Sequence, residues 1–171
     1  MTASLARLLR QSISNEDEVV PLAREVEYAK GYLTIQKMRY KDKLEFEIDV
    51  EPSILNIPLI KLVLQPIIEN AIYHGLKYKE SKGLLQVKGF MKDGNAVLQV
   101  IDDGVGMDEE TLAHIYDKHK VNYHSNGVGV YNVQKRLKLY YGEDYGITYT
   151  SELGKGTTAT ITIPGRQEGQ I

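Results

Sequence analysis

Segments with the two-residue period of β-strands alternate along this chain with segments of helical period, and this order constrains the fold most. Apolar and polar residues alternate over 44–50, and further strands are predicted at 85–90, 96–101, 146–151 and 157–163. Asp93-Gly94-Asn95, between the second and third of these, predicts a hairpin turn. Helical spacing follows Pro21 and Gly129, and residues 108–117 predict a short helix. The pattern predicts an α+β fold, a two-layer α/β sandwich whose mixed, mostly antiparallel sheet is covered on one face by helices.

Two helical pieces are predicted before the first strand. Apolar residues between Leu5 and Ile13 form one helical stripe, and a second helix runs from Pro21 toward Arg39. The polar, acidic run 14–18 between them is typical of an exposed connection. Because the first stripe needs a partner surface, we interpret it as the end of something larger.

Composition excludes several classes of function. The chain has 171 residues, a formal net charge of −2 and no cysteine. A disulfide scaffold, a thiolate metal site and a cysteine nucleophile are therefore excluded. The near-neutral charge removes the electrostatic reason to expect nucleic acid as a partner. No stretch approaches about 18 consecutive apolar residues, and the first residues lack the apolar core of a signal peptide, so neither a membrane span nor a signal peptide is predicted.

An asparagine, Asn70, lies within an apolar helix predicted from Leu59 to about Leu76. Its side chain competes with the helix backbone for hydrogen bonds, so an asparagine at such a position usually has a specific task. One task, when the motif is taken alone, is to cap a neighbouring loop. The other is to bind a ligand.

A predicted strand runs directly into Asp102-Asp103-Gly104-Val105-Gly106. Glycines allow positive φ angles and a close approach of the backbone to a ligand. A carboxylate at the end of a buried strand needs a partner, and it can accept a hydrogen bond from a ligand donor. An ordinary Asp-Gly turn explains this motif alone equally well.

Two further glycine-containing segments precede regular structure. Gly127-Val128-Gly129 leads into a helix, whose first amides can hold a phosphate. It matches neither a Walker A loop nor a Rossmann fingerprint. Gly154-Lys155-Gly156-Thr157 leads into the last strand, where Thr157 can hydrogen-bond a buried ligand.

Together these motifs resemble, over roughly residues 44–164, the GHKL ATP-binding fold of histidine kinases, gyrase-type ATPases and Hsp90. More narrowly, a set of segments resembles LytS/YesM-type sensor histidine kinases of two-component systems: LARLLRQSIS, VPLAREVEYAKGYLTIQKMRY, LQPIIENAIYHG, GVGVYNVQKRLKLYYG and GKGTTATITIP. The resemblance implies that residues 1–20 are the end of a dimerisation and phosphoacceptor helix with its linker. Residues 21–165 would be the catalytic ATP-binding domain, and 166–171 a tail.

The resemblance also implies roles for single residues. Asn70 matches the asparagine that coordinates the Mg²⁺ bridging the ATP phosphates, a suitable task for a neutral oxygen. Asp102 matches the carboxylate that accepts the adenine amino group, while Gly104 and Gly106 let the backbone fit against the base. Thr157 matches the hydroxyl beneath the adenine.

The phosphate end of the implied site comes from the other glycine motif. Gly127 and Gly129 match the loop that folds over the phosphates, with residues 118–127 as a mobile lid.

Three residues near Asn70 depart from the patterns of related enzymes or add to them. Pro66 stands where gyrase-type ATPases carry the glutamate that activates water, so hydrolysis should be slow. Glu69 is a candidate metal or water contact. Tyr73 stands where family members often have a lysine, and either His74 or Lys77 is a candidate replacement for that phosphate contact.

The implied function is the catalytic domain of a sensor histidine kinase, which binds ATP and Mg²⁺ and phosphorylates a histidine. None of the histidines at 74, 114, 119 and 124 has the sequence context of the acceptor, so the acceptor is expected outside the chain and Met1 is interpreted as an expression start. Implied partners are the phosphoacceptor helical hairpin and a response regulator, in a homodimeric, membrane-anchored bacterial sensor with this domain in the cytoplasm. The alternatives are a GHKL-type ATPase, an anti-sigma-like serine kinase and a pseudokinase that binds only a partner.

Overall fold

The computed structural model of the protein describes residues 19–117 and 127–166. Its elements are β1 (Val19–Pro21), α1 (Leu22–Tyr40), β2 (Leu44–Val50), β3 (Pro58–Ile60), α2 (Leu64–Asn70), a π-helical turn (Ala71–Leu76), β4 (Gly83–Lys92), β5 (Asn95–Asp102), α3 (Glu109–Ala113), α4 (Gly127–Tyr141), β6 (Gly146–Glu152) and β7 (Gly156–Pro164). The predicted helix at 5–13, most of the predicted lid and most of the tail lie outside the described residues. Within the described ranges, no helix combines the length and apolarity needed to cross a bilayer.

Five strands form the main sheet in the order β2-β4-β5-β7-β6. The β2–β4 pair is parallel and the other pairs are antiparallel. All five strands were predicted, the first of them from its two-residue period, and the mixed sheet with its packed helices confirms the predicted fold class. The β4–β5 hairpin turns at Asp93 and Gly94, whose φ angles of 51° and 78° are those of the predicted tight turn.

Cross-strand rows show which side chains share the face that packs on the helices. One row joins Val87, Val100, Ala159 and Tyr149, and the next joins Leu85, Asp102, Thr157 and Ser151. The first three residues of the first row are at most 3% exposed, as is Leu85 in the second. Asp102 is therefore a carboxylate placed on an otherwise apolar face of the sheet.

The predicted start of the asparagine-bearing helix is wrong. Residues 58–60 form β3, which pairs antiparallel with β1, and the chain then turns at Leu62, which has a φ of 62°. Helix α2 begins only at Leu64. An apolar run after a proline fits a buried strand or a helix equally well, and here the pairing with β1 decides between them.

Two other helix boundaries also differ from the sequence prediction. Helix α4 begins at Gly127 rather than after Gly129. Helix α3 is shorter than predicted and starts after Asp108, whose side chain caps it by accepting a hydrogen bond from the Thr111 amide at 2.8 Å. The proposed division of the chain at residue 20 stays a prediction, although the two residues before it already pair with β3.

The carboxylate of Glu25 holds the start of α2. Glu25 lies in α1 and is only 4% exposed. Its oxygens accept hydrogen bonds from the backbone amides of Leu62, Val63 and Leu64 at 2.7, 3.0 and 3.1 Å. Amides at a helix N-terminus lack partners within the helix, and the helix dipole favours a negative charge beside them. Glu25 thus fixes α2 to α1.

Helix α4 holds the same segment from the other side. Arg136 donates to the carbonyl of Lys61 at 2.7 Å. The hydroxyl of Tyr141 donates to the carbonyl of Pro58 and accepts from the amide of Ile60. The polar backbone between β3 and α2 is therefore hydrogen-bonded to two helices, α1 and α4.

We expect Glu25→Gln to lower the free energy of unfolding by about 2–3 kcal/mol, because hydrogen bonds to a buried charge are lost and an amide donor is placed against backbone donors. Chemical denaturation measures the change. Glu27→Gln, on the exposed side of the same helix, is the matched control and should change stability by less than about 0.5 kcal/mol. Equal losses in the two variants would contradict the assigned role of Glu25.

Candidate functional site

A cleft lies between the sheet and the end of helix α2, with about 380 Å³ of empty space that is partly open to solvent. Its walls are formed by Ile67, Asn70, Ala71, His74, Gly75, Val100, Asp102, Gly106, Met107, Tyr149, Thr157 and Ala159. The structure therefore brings five of the predicted site residues to one place: Asn70, His74, Asp102, Gly106 and Thr157. Predicted site residues outside this lining are Glu69, Gly104, Gly127 and Gly129.

Asp102, the last residue of β5, is the buried acid of the cleft. It is 5% exposed, and its Oδ1 accepts a hydrogen bond from the Gly104 amide at 2.9 Å. Burial raises the pKa of Asp102 to about 6 from an ordinary value of 3.8, against the opposing effect of the hydrogen bonds from the Gly104 and Thr157 amides. The Asp102 carboxyl group can therefore accept a further hydrogen bond from a donor of a ligand.

The neighbouring Asp103 points away from the cleft. Its carboxylate accepts from the Leu84 amide at 2.8 Å and pairs with Lys79 at 2.9 Å. Because successive side chains of a strand alternate between faces, only one of two adjacent acids at this strand end can face the cleft.

Gly75 and Gly104 pack against each other beneath the Asp102 carboxylate. A Cβ built on Gly75 would lie 2.5 Å from Asp102 Oδ1, and a Cβ on Gly104 would overlap the backbone of Gly75. The absence of both side chains allows the end of the π-helical turn to touch the loop that follows β5. Gly104 thus has a packing role within the chain, and its contact with a base stays a prediction.

Gly106 lets the same loop reach the β6–β7 turn. It has a φ of 67°, and a Cβ there would overlap the Glu152 carbonyl. One residue earlier, the Val105 carbonyl accepts a hydrogen bond from the Gly154 amide at 2.7 Å. The two glycine motifs that are distant in sequence are therefore joined directly.

Thr157 lies opposite Asp102 in the sheet and belongs to a hydroxyl pair. Its Oγ1 is 2.8 Å from the hydroxyl of Ser151, which donates to the Gly156 carbonyl and accepts from the Met107 amide. Ser151 therefore orients the Thr157 hydroxyl, which is predicted to contact a ligand. It also anchors the loop after Asp102.

Asn70 ends α2 at the point where the helix widens into the π-helical turn. Its side chain lines the cleft, and no hydrogen-bond partner for it occurs among the described residues. Single π-turns inside α-helices are frequent at functional sites, since they redirect side chains. An amide oxygen here is free to bind a ligand or a cation.

Glu69 and Tyr73 face α1 instead of the cleft lining. Glu69 accepts a hydrogen bond from Gln65 at 3.1 Å, and Tyr73 lies near Tyr32 of α1. Burial, then the nearby Glu69 and then Tyr73, raise the pKa of Tyr32. The structure thus separates Glu69 from the other predicted site residues, and its catalytic assignment stays a prediction.

His74 lines the cleft but remains exposed at its rim. Partial burial lowers the pKa of His74, and the charge of Lys77 lowers it further, so the imidazole is neutral at pH 7. It can approach an anion as a hydrogen-bond donor but brings no charge.

The two remaining glycines lie in the first turn of α4. A Cβ on Gly129 would be 3.4 Å from Pro66 Cβ, which places the start of α4 against α2 one turn before Asn70. Gly127 is the first residue of the helix. The positive end of the α4 dipole is therefore near the Asn70 end of the cleft.

Sequence reasoning assigned no site role to Gly75 and Tyr149, which line the cleft, or to Ser151, which holds Thr157. The two-residue period of β6 places Tyr149 and Ser151 on the same face as the buried Ile147, which was a usable signal. Gly75 gave no signal, because its role depends on a contact with a loop about thirty residues later.

Comparisons with protein families match two parts of the chain. Residues 56–167 match the family described as histidine kinase-, DNA gyrase B-, and HSP90-like ATPase. Residues 1–44 match the histidine kinase family. The first match contains all the residues that line the cleft.

Curated relatives are similar over nearly the whole chain. Sensor histidine kinase YesM of Bacillus subtilis is 33% identical over 98% of this chain, and sensor protein LytS of Oceanobacillus iheyensis is 32% identical over 95%. Sensor histidine kinase BtsS of Escherichia coli is 29% identical over 96%. The chain spans 28%, 28% and 27% of the lengths of these relatives.

Solved structures share the fold at low sequence identity. The catalytic domain of histidine kinase ThkA is 13% identical with a TM-score of 0.66, covering 87% of this chain and 99% of that one. The histidine kinase domain of a blue-light activated histidine kinase from Erythrobacter litoralis is 18% identical with a TM-score of 0.59, covering 86% and 63%.

The raised pKa of Asp102 predicts a pH-dependent stability. The folded protein holds this proton more tightly than the unfolded chain, so the stabilisation present below pH 4 is lost as the pH rises through about 6. Asp102→Asn removes the titration. We expect the variant to be more stable than the original at pH 7 by up to about 3 kcal/mol, with the difference vanishing toward pH 4.

Denaturation between pH 4 and pH 7 measures this difference. Asp93→Asn, in the exposed β4–β5 turn, is the control. A difference between Asp102→Asn and the original that does not vary with pH would contradict the burial of an ionisable Asp102.

Proposed function

This chain belongs to the family of histidine kinase-, DNA gyrase B-, and HSP90-like ATPases, and from that premise we propose that it binds Mg²⁺-ATP and delivers the γ-phosphoryl group to a histidine outside residues 1–171. Its curated relatives are sensor histidine kinases, similar along almost all of its length. Because the chain spans little more than a quarter of those proteins, the kinase activity of the whole protein belongs to this proposal.

One observation carries the proposal: a buried carboxylate and an amide without a partner among the described residues line the same cleft. The Asp102 carboxylate can accept the exocyclic amino group of adenine, and the apolar Val100 and Ala159 beside it offer a surface for the ring. Thr157, oriented by Ser151, adds a hydroxyl directly across the sheet from Asp102. Recognition of a purine needs this combination of an apolar floor and a few fixed polar groups.

The residues at the other end of the cleft fit a magnesium ion shared with phosphates. Magnesium is usually bound by one or two protein oxygens and by phosphate oxygens. Asn70 offers one such oxygen, and among the described residues no group of three or more acidic or histidine side chains forms a metal site of its own. When bound, Mg²⁺ neutralises phosphate charge, and Asn70 would hold it.

Two features near Asn70 support a role in phosphoryl transfer. The start of α4, at Gly127 and Gly129, lies against α2 and offers amides and a positive dipole end to phosphate oxygens. Neutral His74, at the rim of the cleft, can donate a hydrogen bond to the same phosphates. These groups position the triphosphate so that its γ-phosphorus is open to a nucleophile from outside.

The surroundings of Asn70 favour transfer to a protein over hydrolysis. Pro66 occupies the position of the water-activating glutamate of gyrase-type ATPases. Glu69 hydrogen-bonds to Gln65 and lies outside the cleft lining. Efficient hydrolysis needs a base within reach of the attacking water, whereas a histidine nucleophile needs no such base in this domain.

The proposal extends to the whole protein. Residues 1–20 would be the end of a phosphoacceptor hairpin in a homodimer, which agrees with the histidine kinase match over residues 1–44. A response regulator would receive the phosphoryl group from the histidine. We place this domain in the cytoplasm, as part of a membrane-anchored sensor, with no part in binding nucleic acid.

Calorimetric titration with a non-hydrolysable ATP analogue tests the binding roles. Asp102→Asn should weaken binding roughly tenfold to a hundredfold, because a charge-assisted hydrogen bond contributes about 1.5–3 kcal/mol. Asn70→Ala should remove most of the enhancement that Mg²⁺ gives, while binding without Mg²⁺ changes little. Unchanged affinity in the first variant, or full enhancement in the second, would argue against the corresponding role.

Phosphoryl transfer is tested by adding the phosphoacceptor hairpin of the full-length protein to this chain with γ-labelled ATP. We expect acid-labile label on the hairpin, as phosphohistidine gives, and none when its histidine is replaced by glutamine. Acid-stable label would indicate a serine kinase, and rapid phosphate release without the hairpin would indicate an ATPase. No binding of ATP by the unmodified chain would indicate a pseudokinase.

A further inference from the structure

Tyr149 lines the cleft, and its hydroxyl is buried without a hydrogen-bond partner among the described residues. Buried polar atoms are nearly always paired, and an unpaired hydroxyl destabilises the protein that carries it. A phenylalanine would fill the same space without that penalty. The hydroxyl therefore calls for a partner that the described residues do not supply.

The ring of Tyr149 is held in a defined position. Tyr116 packs edge-on against it, with ring centroids 6.0 Å apart and an interplanar angle of 62°. Tyr116 is itself fixed, since its hydroxyl donates to the carbonyl of Ile147 in the same strand as Tyr149. A fixed ring gives the Tyr149 hydroxyl a preferred location, as a ligand-binding group requires.

Tyr149 lies beside the residues assigned to the purine. In the sheet it pairs with Ala159, which pairs with Val100, and the adjacent row on the same face contains Thr157 and Asp102. Because the side chain of Ala159 is small, the space above it is part of the cleft. Tyr149 and Asp102 thus line the same cleft, beside the apolar Val100 and Ala159.

The two groups have complementary chemistry. Burial raises the pKa of Tyr149, and Tyr116 and Asp102 raise it further, so the hydroxyl keeps its proton and can donate it. The Asp102 carboxylate accepts. An adenine ring carries an amino donor flanked by ring-nitrogen acceptors, whereas the same edge of guanine carries a carbonyl acceptor.

Resting on the proposed function, we propose that the Tyr149 hydroxyl donates a hydrogen bond to a ring nitrogen of the adenine whose amino group binds Asp102. Tyr149 would then be a specificity residue of the nucleotide site. Its hydroxyl lowers the stability of the empty protein and gains its partner only in the complex.

The proposal predicts effects of opposite sign for Tyr149→Phe. Without nucleotide, the melting temperature should rise, because an unpaired buried hydroxyl is removed. The dissociation constant for ATP, measured by calorimetry with Mg²⁺, should increase about threefold to tenfold, as expected for a neutral hydrogen bond. Tyr140→Phe, half-exposed on α4 and remote from the cleft, is the matched control and should leave both quantities unchanged.

Deaza analogues of ATP identify the acceptor. The 1-deaza, 3-deaza and 7-deaza analogues each lack one ring nitrogen, and for one of them the original protein and Tyr149→Phe should bind equally. The inference is overturned if Tyr149→Phe binds ATP as tightly as the original, or if its deficit is the same for ATP and for all three analogues. Lack of ATP binding by the original protein would instead overturn the proposed function itself.

Discussion

The hydrogen bonds of one buried carboxylate, that of Glu25, position the element on which the cleft depends. They join α1 to the first amides of α2. Helix α2 carries Asn70 at its end and continues through the π-helical turn to Gly75, which touches Asp102. Arg136 of α4 binds the same segment from the opposite side. The spacing between the two ends of the cleft thus follows from contacts made about two helical turns away from Asn70.

Close backbone packing then sets the surroundings of Asp102. Gly75, Gly104 and Gly106 bring three backbone segments together around the end of β5. Their packing excludes water from a carboxyl group that needs partners, which is why its pKa is raised. The Asp-Gly motif after β5, which the sequence indicates to be a ligand-binding loop, is therefore also a packing motif. Both roles restrict positions 104 and 106 to glycine.

The sheet was predictable from sequence because most of its strands have a two-residue period and a turn motif joins β4 to β5, while the glycine motifs marked the loops around the cleft. The start of α2 was not, because the apolar run after Pro58 fits either a strand or a helix and pairing with β1 settles it. Of the site, the order of motifs indicated Asn70, Asp102 and Thr157. The roles of Glu25 and Tyr149 depend on tertiary contacts between segments far apart in the chain, which local periodicity does not encode.

The order of the strands has a consequence for how the protein is made. The last strand in sequence, β7, is inserted between β5 and β6, and Thr157 and Ala159 of the cleft floor belong to it. The pairing of β4 with β5 is local and can form early during synthesis, whereas the pairing of β5 with β7 must wait until β7 itself has been translated. A chain that stops before β7 therefore keeps Val100 and Asp102 but lacks Thr157 and Ala159, so its cleft is incomplete.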